Sequence, residues 1–268
     1  MKSFRVLDPN LPDPGVNDLC ALAVMTKAPQ AGRVKTRLVP PLTAEQAAEL
    51  NKCFLRDTAT SITIACSRRP AAHAPRKYDI NPSSNEAAMA ACAIAVYTPV
   101  GAESAYTDIL PGEFSLLPQR GEAFGERLYF AVEDLFKCGF DSVCLIDSDS
   151  PTVPAESFAE AVELLSTSED RVVLGPSDDG GYYLIGVKKP HRYLFEQIDW
   201  STERVLEQTV ERATEIGRKV IYLPTGYDVD DAASLRRLSK ELLADKASTA
   251  VAPHTREFLE TLSTLKKL

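Results

Sequence analysis

The sequence predicts an α/β domain with a mostly parallel central sheet and helices on both faces. Three observations carry this. Compact apolar runs of strand length recur, as at 19–25 (L-C-A-L-A-V-M) and 142–146 (S-V-C-L-I). Stretches with helical apolar spacing lie between them, and this alternation is the pattern of parallel sheets covered on both sides. No internal repeat or obvious linker divides the 268 residues, so one domain is expected over 19–246. Residues 1–18 read as a loose leader and 247–268 as a peripheral C-terminal helix.

The elements follow in order. The run at 19–25 suits a buried strand. A basic loop at 26–41 comes next, and a helix begins at Thr43, where Thr43 and Gln46 fit a capping box. Ala47, Leu50, Phe54, Thr58 and Ile62 keep helical spacing. The Pro-, Ala- and Arg-rich stretch 67–84 reads as an irregular excursion. Strands are expected at 93–98 and 114–117, a helix at 122–138, the strand 142–146 and a helix at 154–166. Strands at 172–174 and 182–187 flank Asp178-Asp179-Gly180-Gly181 and allow one antiparallel excursion. Helices at 202–216 and 231–243 enclose a strand at 219–223, and a last helix covers 255–265.

Composition limits the function classes. The net charge of −8 argues against a general nucleic-acid or anionic-membrane binder. No apolar run approaches the roughly 20 residues that span a bilayer. Residues 1–18 contain three prolines and no apolar core, unlike a signal peptide. The six cysteines form no C-x-x-C pair and read as buried thiols of a reducing, cytoplasmic compartment. His73, His191 and His254 lie away from any nucleophile motif.

Ligands of parallel sheets gather outside the carboxyl ends of the strands. Four segments there bear chemistry. The first is the loop K-A-P-Q-A-G-R-V-K-T-R-L at 27–38, in which Lys27, Arg33, Lys35 and Arg37 surround the turn residue Gly32. Fixed cations and backbone N–H groups are what a polyphosphate needs, although a solvated basic loop would look the same. It is not a Walker loop. In the second, Asp147 and Asp149 follow a buried strand and suit a hard cation such as Mg²⁺ or Mn²⁺, or simply cap a turn. The third, Asp178 to Gly181, is either a hairpin turn or a place where Asp179 accepts sugar hydroxyls beside Gly180 and Gly181. In the fourth, Y-D-V-D-D at 227–231, Asp231 is a ready N-cap, while Asp228 and Asp230 exceed what capping requires and offer a second metal-facing carboxylate. Trp200, the single tryptophan, packs a helix start or stacks on a sugar or base.

The run A-L-A-V-M-T-K-A-P-Q-A-G-R-V-K-T-R-L resembles the opening of small bacterial glycosyltransferase-like proteins with a GT-A, or nucleotide-diphospho-sugar transferase, fold, some assigned to arsenosugar biosynthesis. Further segments fit in the same order: L-L-P-Q-R-G-E-A-F-G-E-R-L, D-S-D-S-P, G-P-S-D-D-G-G-Y-Y-L-I-G, and I-D-W-S-T with Y-D-V-D-D. That family is similar to the nucleotidyltransferases that make 2-phospho-L-lactate guanylyl and molybdopterin-guanine products.

The resemblance implies that Gly32, Lys35 and Arg37 hold nucleotide phosphates, and that Gln119, Gly121, Gly125 and Arg127 approach the nucleotide. It implies a metal on Asp149, with Asp230 near the phosphates. Asp147 stands where relatives usually carry Gly, so it ranks as the secondary carboxylate. Asp231 replaces a usual Thr, and 67–91 is unlike the family's short link.

The function this implies is metal-dependent transfer of a sugar from a nucleotide-diphospho-sugar to a small-molecule acceptor. Lys35, Arg37 and Asp179 are the expected catalytic residues, and Mg²⁺ or Mn²⁺ the cofactor. The alternatives are a nucleotidyltransferase joining an NTP to a phosphorylated acceptor, and a non-catalytic nucleotide-sugar sensor.

Overall fold

The computed structural model of the chain describes residues 4–68, 89–244 and 248–265. Its elements are β1 (Arg5–Val6), β2 (Leu19–Lys27), α1 (Ala44–Ser67), β3 (Ala90–Thr98), β4 (Ser115–Pro118), α2 (Phe124–Cys138), β5 (Ser142–Ile146), α3 (Ala155–Leu165), β6 (Arg171–Pro176), β7 (Tyr182–Val187), α4 (Val205–Glu215), β8 (Lys219–Tyr222), α5 (Ala232–Leu242) and α6 (Pro253–Leu265). The excursion expected at 67–84 falls mostly on residues outside those described.

One eight-stranded sheet runs in the order β1-β4-β3-β2-β5-β7-β6-β8. Central β2 pairs in parallel with both β3 and β5. Only β7 runs antiparallel, between β5 and β6. It is the excursion the two short runs around Gly180-Gly181 predict. Because β2 has a parallel neighbour on each side, its carboxyl end, with those of β3 and β5, opens a crevice where a ligand can reach several loops at once.

Both faces of the sheet are covered, which is why β2 from Leu19 to Met25 and β5 from Val143 to Ile146 are continuous apolar runs. On one face Leu22 and Val24 pack with Leu55 and Ile62 of α1 and Phe158 and Leu165 of α3. On the other, Ala21 and Ala23 meet Leu128, Val132 and Leu135 of α2 and Ala213 of α4. A third cluster joins Leu38 of the basic loop, Leu50 and Phe54 of α1, Val229, and Leu235 and Leu238 of α5. It fastens the basic loop to the segment after β8, and so sets the site.

The predicted capping box starts α1: Gln46 N–H donates to Thr43 Oγ1 at 3.2 Å and Thr43 N–H to Gln46 Oε1 at 2.9 Å. Helix α4 begins at Val205, later than 202, because a turn intervenes. There Ser201 has a φ of 66° and the Thr202 hydroxyl donates to the Asp199 carbonyl at 2.7 Å.

The leader expected to be loose is tied down. β1 adds a parallel edge strand to β4. Leu7 N–H donates to Leu116 O at 2.8 Å, and the Leu7 and Val16 side chains are buried in the core. The last helix is anchored too: the buried Asp57 carboxylate of α1 accepts from His254 N–H at 3.0 Å and Thr255 N–H at 2.9 Å. All six cysteines are free thiols, with Cys66 and Cys92 half-buried and the others buried. Among the described residues no helix is long and apolar enough to cross a membrane.

Candidate nucleotide and acceptor site

Two adjoining cavities open at the carboxyl ends of β2, β3 and β5. The first has a volume of about 640 Å³. Lys27, Arg33, Lys35 and Arg37 from the basic loop line it, with Gln119 and Gly121 from the β4–α2 turn and Arg127 from the first turn of α2. Asp149 and Asp230 stand at its edge. The second, of about 430 Å³, is walled by Leu128, Leu145, Ile146, Phe124 and Trp200. Its acidic lining residues are Asp147, Asp179, Asp228, Asp230 and Glu203, beside the hydroxyl-bearing Ser201, Thr202, Tyr182 and Tyr183, and Arg37 is the basic residue of that lining. Met25, Phe124, Arg37 and Asp230 border both cavities.

Lys35 sits at the junction of three loops. Its backbone is left-handed (φ 48°, ψ 39°), uncommon for a residue with a Cβ. Its side chain is only 5% exposed, and the ammonium bonds Val229 O at 2.7 Å, Asp230 Oδ1 at 2.8 Å and Asp149 Oδ1 at 2.9 Å. Val229 N–H in turn donates to Asp149 O at 2.9 Å. An ammonium has three N–H donors, so Lys35 in this arrangement has none left for a phosphate. Burial works against its charge, but Asp149 and Asp230 outweigh burial and raise its pKa. For Asp230 burial acts upward, and the Lys35 charge and hydrogen bond overcome it, so its pKa falls.

The other acidic groups behave differently. Asp147 is held inside the turn: its Oδ2 accepts from the Ser150 hydroxyl at 2.9 Å, and its Oδ1 from Asp149 N–H at a long 3.4 Å. Burial, then the Asp149 charge, pushes its carboxyl well above the usual carboxylate range. Burial and the charges of Asp179 and Asp230 raise Asp228 to about 6, and its Oδ1 accepts from the Ser177 hydroxyl at 3.2 Å. Asp179 Oδ1 accepts Gly181 N–H at 2.9 Å and so shapes the loop from which it faces the second cavity. Asp231 is the N-cap of α5, accepting from Ala233 and Ser234 N–H, each at 2.8 Å.

Some predicted residues stand behind the cavity walls. A Cβ on Gly125 would lie 2.5 Å from Phe195 O and 2.6 Å from Trp200 Nε1. Glycine there lets α2 close on the Trp200 segment rather than on a ligand. A Cβ on Gly180 would strike the Glu203 carbonyl; that glycine seats the turn preceding α4. Gly32 makes its turn outside both cavity linings.

Conversely, Phe124, Asn51 and Glu203 line the cavities without having been singled out as site residues, while Asp228, marked in the sequence as a carboxylate beyond what capping requires, lines the second cavity. Phe124 is 48% exposed and meets the edge of Trp200 with ring centroids 5.1 Å apart. A signal existed for it, as an aromatic inside Q-R-G-E-A-F-G-E-R, and for Asp228 in the D-V-D spacing. Asn51 and Glu203 had none.

Among the described residues no three His, Cys, Asp or Glu side chains converge as a cage for a cation. Mg²⁺ commonly needs no such cage, using one or two carboxylates with waters and substrate phosphates. The hard oxygens of Asp149 and Asp230, which meet at one cationic point beside the basic cavity, fit that mode.

A crystal structure of a provisionally named nucleotide-diphospho-sugar transferase from Desulfovibrio desulfuricans G20 aligns with 94% of this chain and 97% of its own. The TM-score is 0.73 and the sequence identity 26%. The chain has the nucleotide-diphospho-sugar transferase fold. Within this fold, residues 84–202 match a family described as "Uncharacterized protein conserved in bacteria (DUF2064)". A cytidylyltransferase from Leptospira borgpetersenii aligns more loosely, at 10% identity and a TM-score of 0.45, over 92% of this chain and 95% of that one. A 4-diphosphocytidyl-2C-methyl-D-erythritol synthase from Anaerococcus prevotii does so at 12% and 0.47, over 82% and 97%. No curated protein matches the sequence.

Proposed function

We propose that this nucleotide-diphospho-sugar transferase fold serves a glycosyltransferase, which takes a nucleotide-diphospho-sugar donor with a divalent cation. The observation that supports it is the division of charge between the adjoining cavities. One concentrates Lys27, Arg33 and Arg37, suited to a diphosphate. The other combines apolar and aromatic walls with several carboxylates, suited to a neutral, hydroxyl-rich sugar and its acceptor. A phosphorylated acceptor entering the second cavity would meet Asp179, Asp228 and Glu203. Nucleotidyl transfer to such an acceptor is therefore disfavoured by like-charge repulsion.

In this reading Arg33 and Lys27 hold the diphosphate. Arg37, which borders both cavities, stands where negative charge grows on the leaving nucleoside diphosphate, and stabilises it there. Phe124 and Trp200 present ring surface to the sugar, and Asp179 accepts its hydroxyls. A cation on Asp149 and Asp230 would supply further neutralisation of the leaving phosphate.

Calorimetry with a panel of nucleotide-sugars, nucleoside diphosphates, triphosphates and bare nucleosides, with MnCl₂, tests this. Nucleotide-sugars and diphosphates should bind, and bare nucleosides far less. Arg37→Ala should weaken diphosphate binding by about 1–3 kcal/mol, the range for hydrogen bonds to charged groups. Equal affinity for a nucleoside and its diphosphate would contradict the assignment of the basic cavity.

A further inference from the structure

The place where Asp149 and Asp230 converge already holds a cation, and it is part of the chain. The Lys35 ammonium lies 2.9 Å from one carboxylate and 2.8 Å from the other. Its third N–H goes to Val229 O, in the loop that carries Asp230. The basic cavity borders the spot on one side, while Phe54 flanks the ammonium at 5.5 Å from its ring centroid.

We infer that the Lys35 ammonium occupies the cation position of this site. Lys35 and a divalent cation then exclude one another, and cation entry frees Lys35 to turn to the phosphates. The inference rests on reading Asp149 and Asp230 as the cation's carboxylates, and is independent of which group is transferred.

Three physical points carry it. First, the two carboxylate oxygens are spaced on an ammonium. A hard cation binds oxygen at about 2.0–2.6 Å, so both carboxylates would close in on it, and no room would remain for the ammonium between them. Second, Lys35 is donor-saturated, so it can grip a phosphate only by giving up a present partner. The partners a metal ligates are the ones it would give up. Third, removing the lysine charge leaves Asp149 and Asp230 facing each other, with Asp228 nearby, and no balancing cation. Such a group of like charges is unfavourable until a cation replaces the lost one. The lysine thus keeps the loops after β2, β5 and β8 assembled when no metal is present.

The test uses Mn²⁺ alone, without nucleotide, on the full chain and on Lys35→Met. Calorimetry should give Mn²⁺ affinity at least ten-fold higher in the variant. Thermal unfolding in EDTA should show the variant's Tm several degrees below wild type, with Mn²⁺ restoring most of the loss while wild type shifts little. In the double variant K35M/D149N the gain in affinity should vanish. Lys35→Gln, which keeps a donor toward Val229 O, carries the same comparison if the methionine variant does not fold. Mn²⁺ affinity unchanged or weakened in K35M or K35Q, no Mn²⁺ binding in either, or a gain that survives D149N would overturn the inference. None of these outcomes depends on whether the transferred group is a sugar, so the inference and the proposed activity can fail separately.

Discussion

Gly125 shows how a residue that a motif assigns to ligand can serve packing instead. It is the second glycine of the Q-R-G-E-A-F-G-E-R segment and the second residue of α2, yet its missing side chain makes room for Trp200 and the Phe195 carbonyl. Gly125→Ala forces a contact that backbone must absorb, a cost of about 1–3 kcal/mol for overpacking. Because Trp200 is the only tryptophan, its fluorescence reads the displacement directly. The variant should show a lower Tm and an altered Trp200 emission. An unchanged spectrum would mean that α2 and the Trp200 segment do not touch as described. Lys35 teaches the complementary lesson. Its basic character was plain from the loop sequence, but its partners are carboxylates from two distant segments, and no local pattern announces them.

Among the elements, the strands were the most legible. A strand buried on both faces is apolar over most of its length, so β2 and β5 announce themselves as near-continuous runs, broken only by Thr26 and Lys27 at the end of one and Ser142 at the start of the other. The helices were legible from spacing and caps, as at Thr43 and Asp231. The leader was not. Its buried side chains, Leu7 and Val16, are scattered among prolines and polar residues and show no period. What orders β1 is the open edge of β4, a tertiary fact absent from the local sequence. Leu7→Ala should therefore cost about 2–3 kcal/mol, the lower part of the range for deleting a buried leucine side chain. Urea unfolding that shows no change in midpoint would mean that the leader is loose after all. The anchoring of α6 by Asp57 was equally hidden, since the partners are 197 and 198 residues apart.

Over the whole molecule, a net charge of −8 coexists with a basic cavity whose cations, Arg127 apart, come from one loop. The sequence revealed that loop and the three acidic turns as separate features. Their division into two adjoining chambers required the fold, because it depends on which turns the strand order brings together. Sheet order places the loops after β2 and β5 side by side, and the antiparallel β7 brings Asp179 and the Trp200 segment to the far wall. In the proposed function the basic chamber takes the diphosphate and the acidic chamber a sugar without phosphate. The product distinguishes this from nucleotidyl transfer most directly. Phosphorus NMR of the full chain incubated with Mn²⁺, a panel of nucleotide-sugars and nucleoside triphosphates, and paired neutral and phosphorylated acceptors should show release of a nucleoside diphosphate with a neutral acceptor. Release of pyrophosphate from a triphosphate with a phosphorylated acceptor would contradict it.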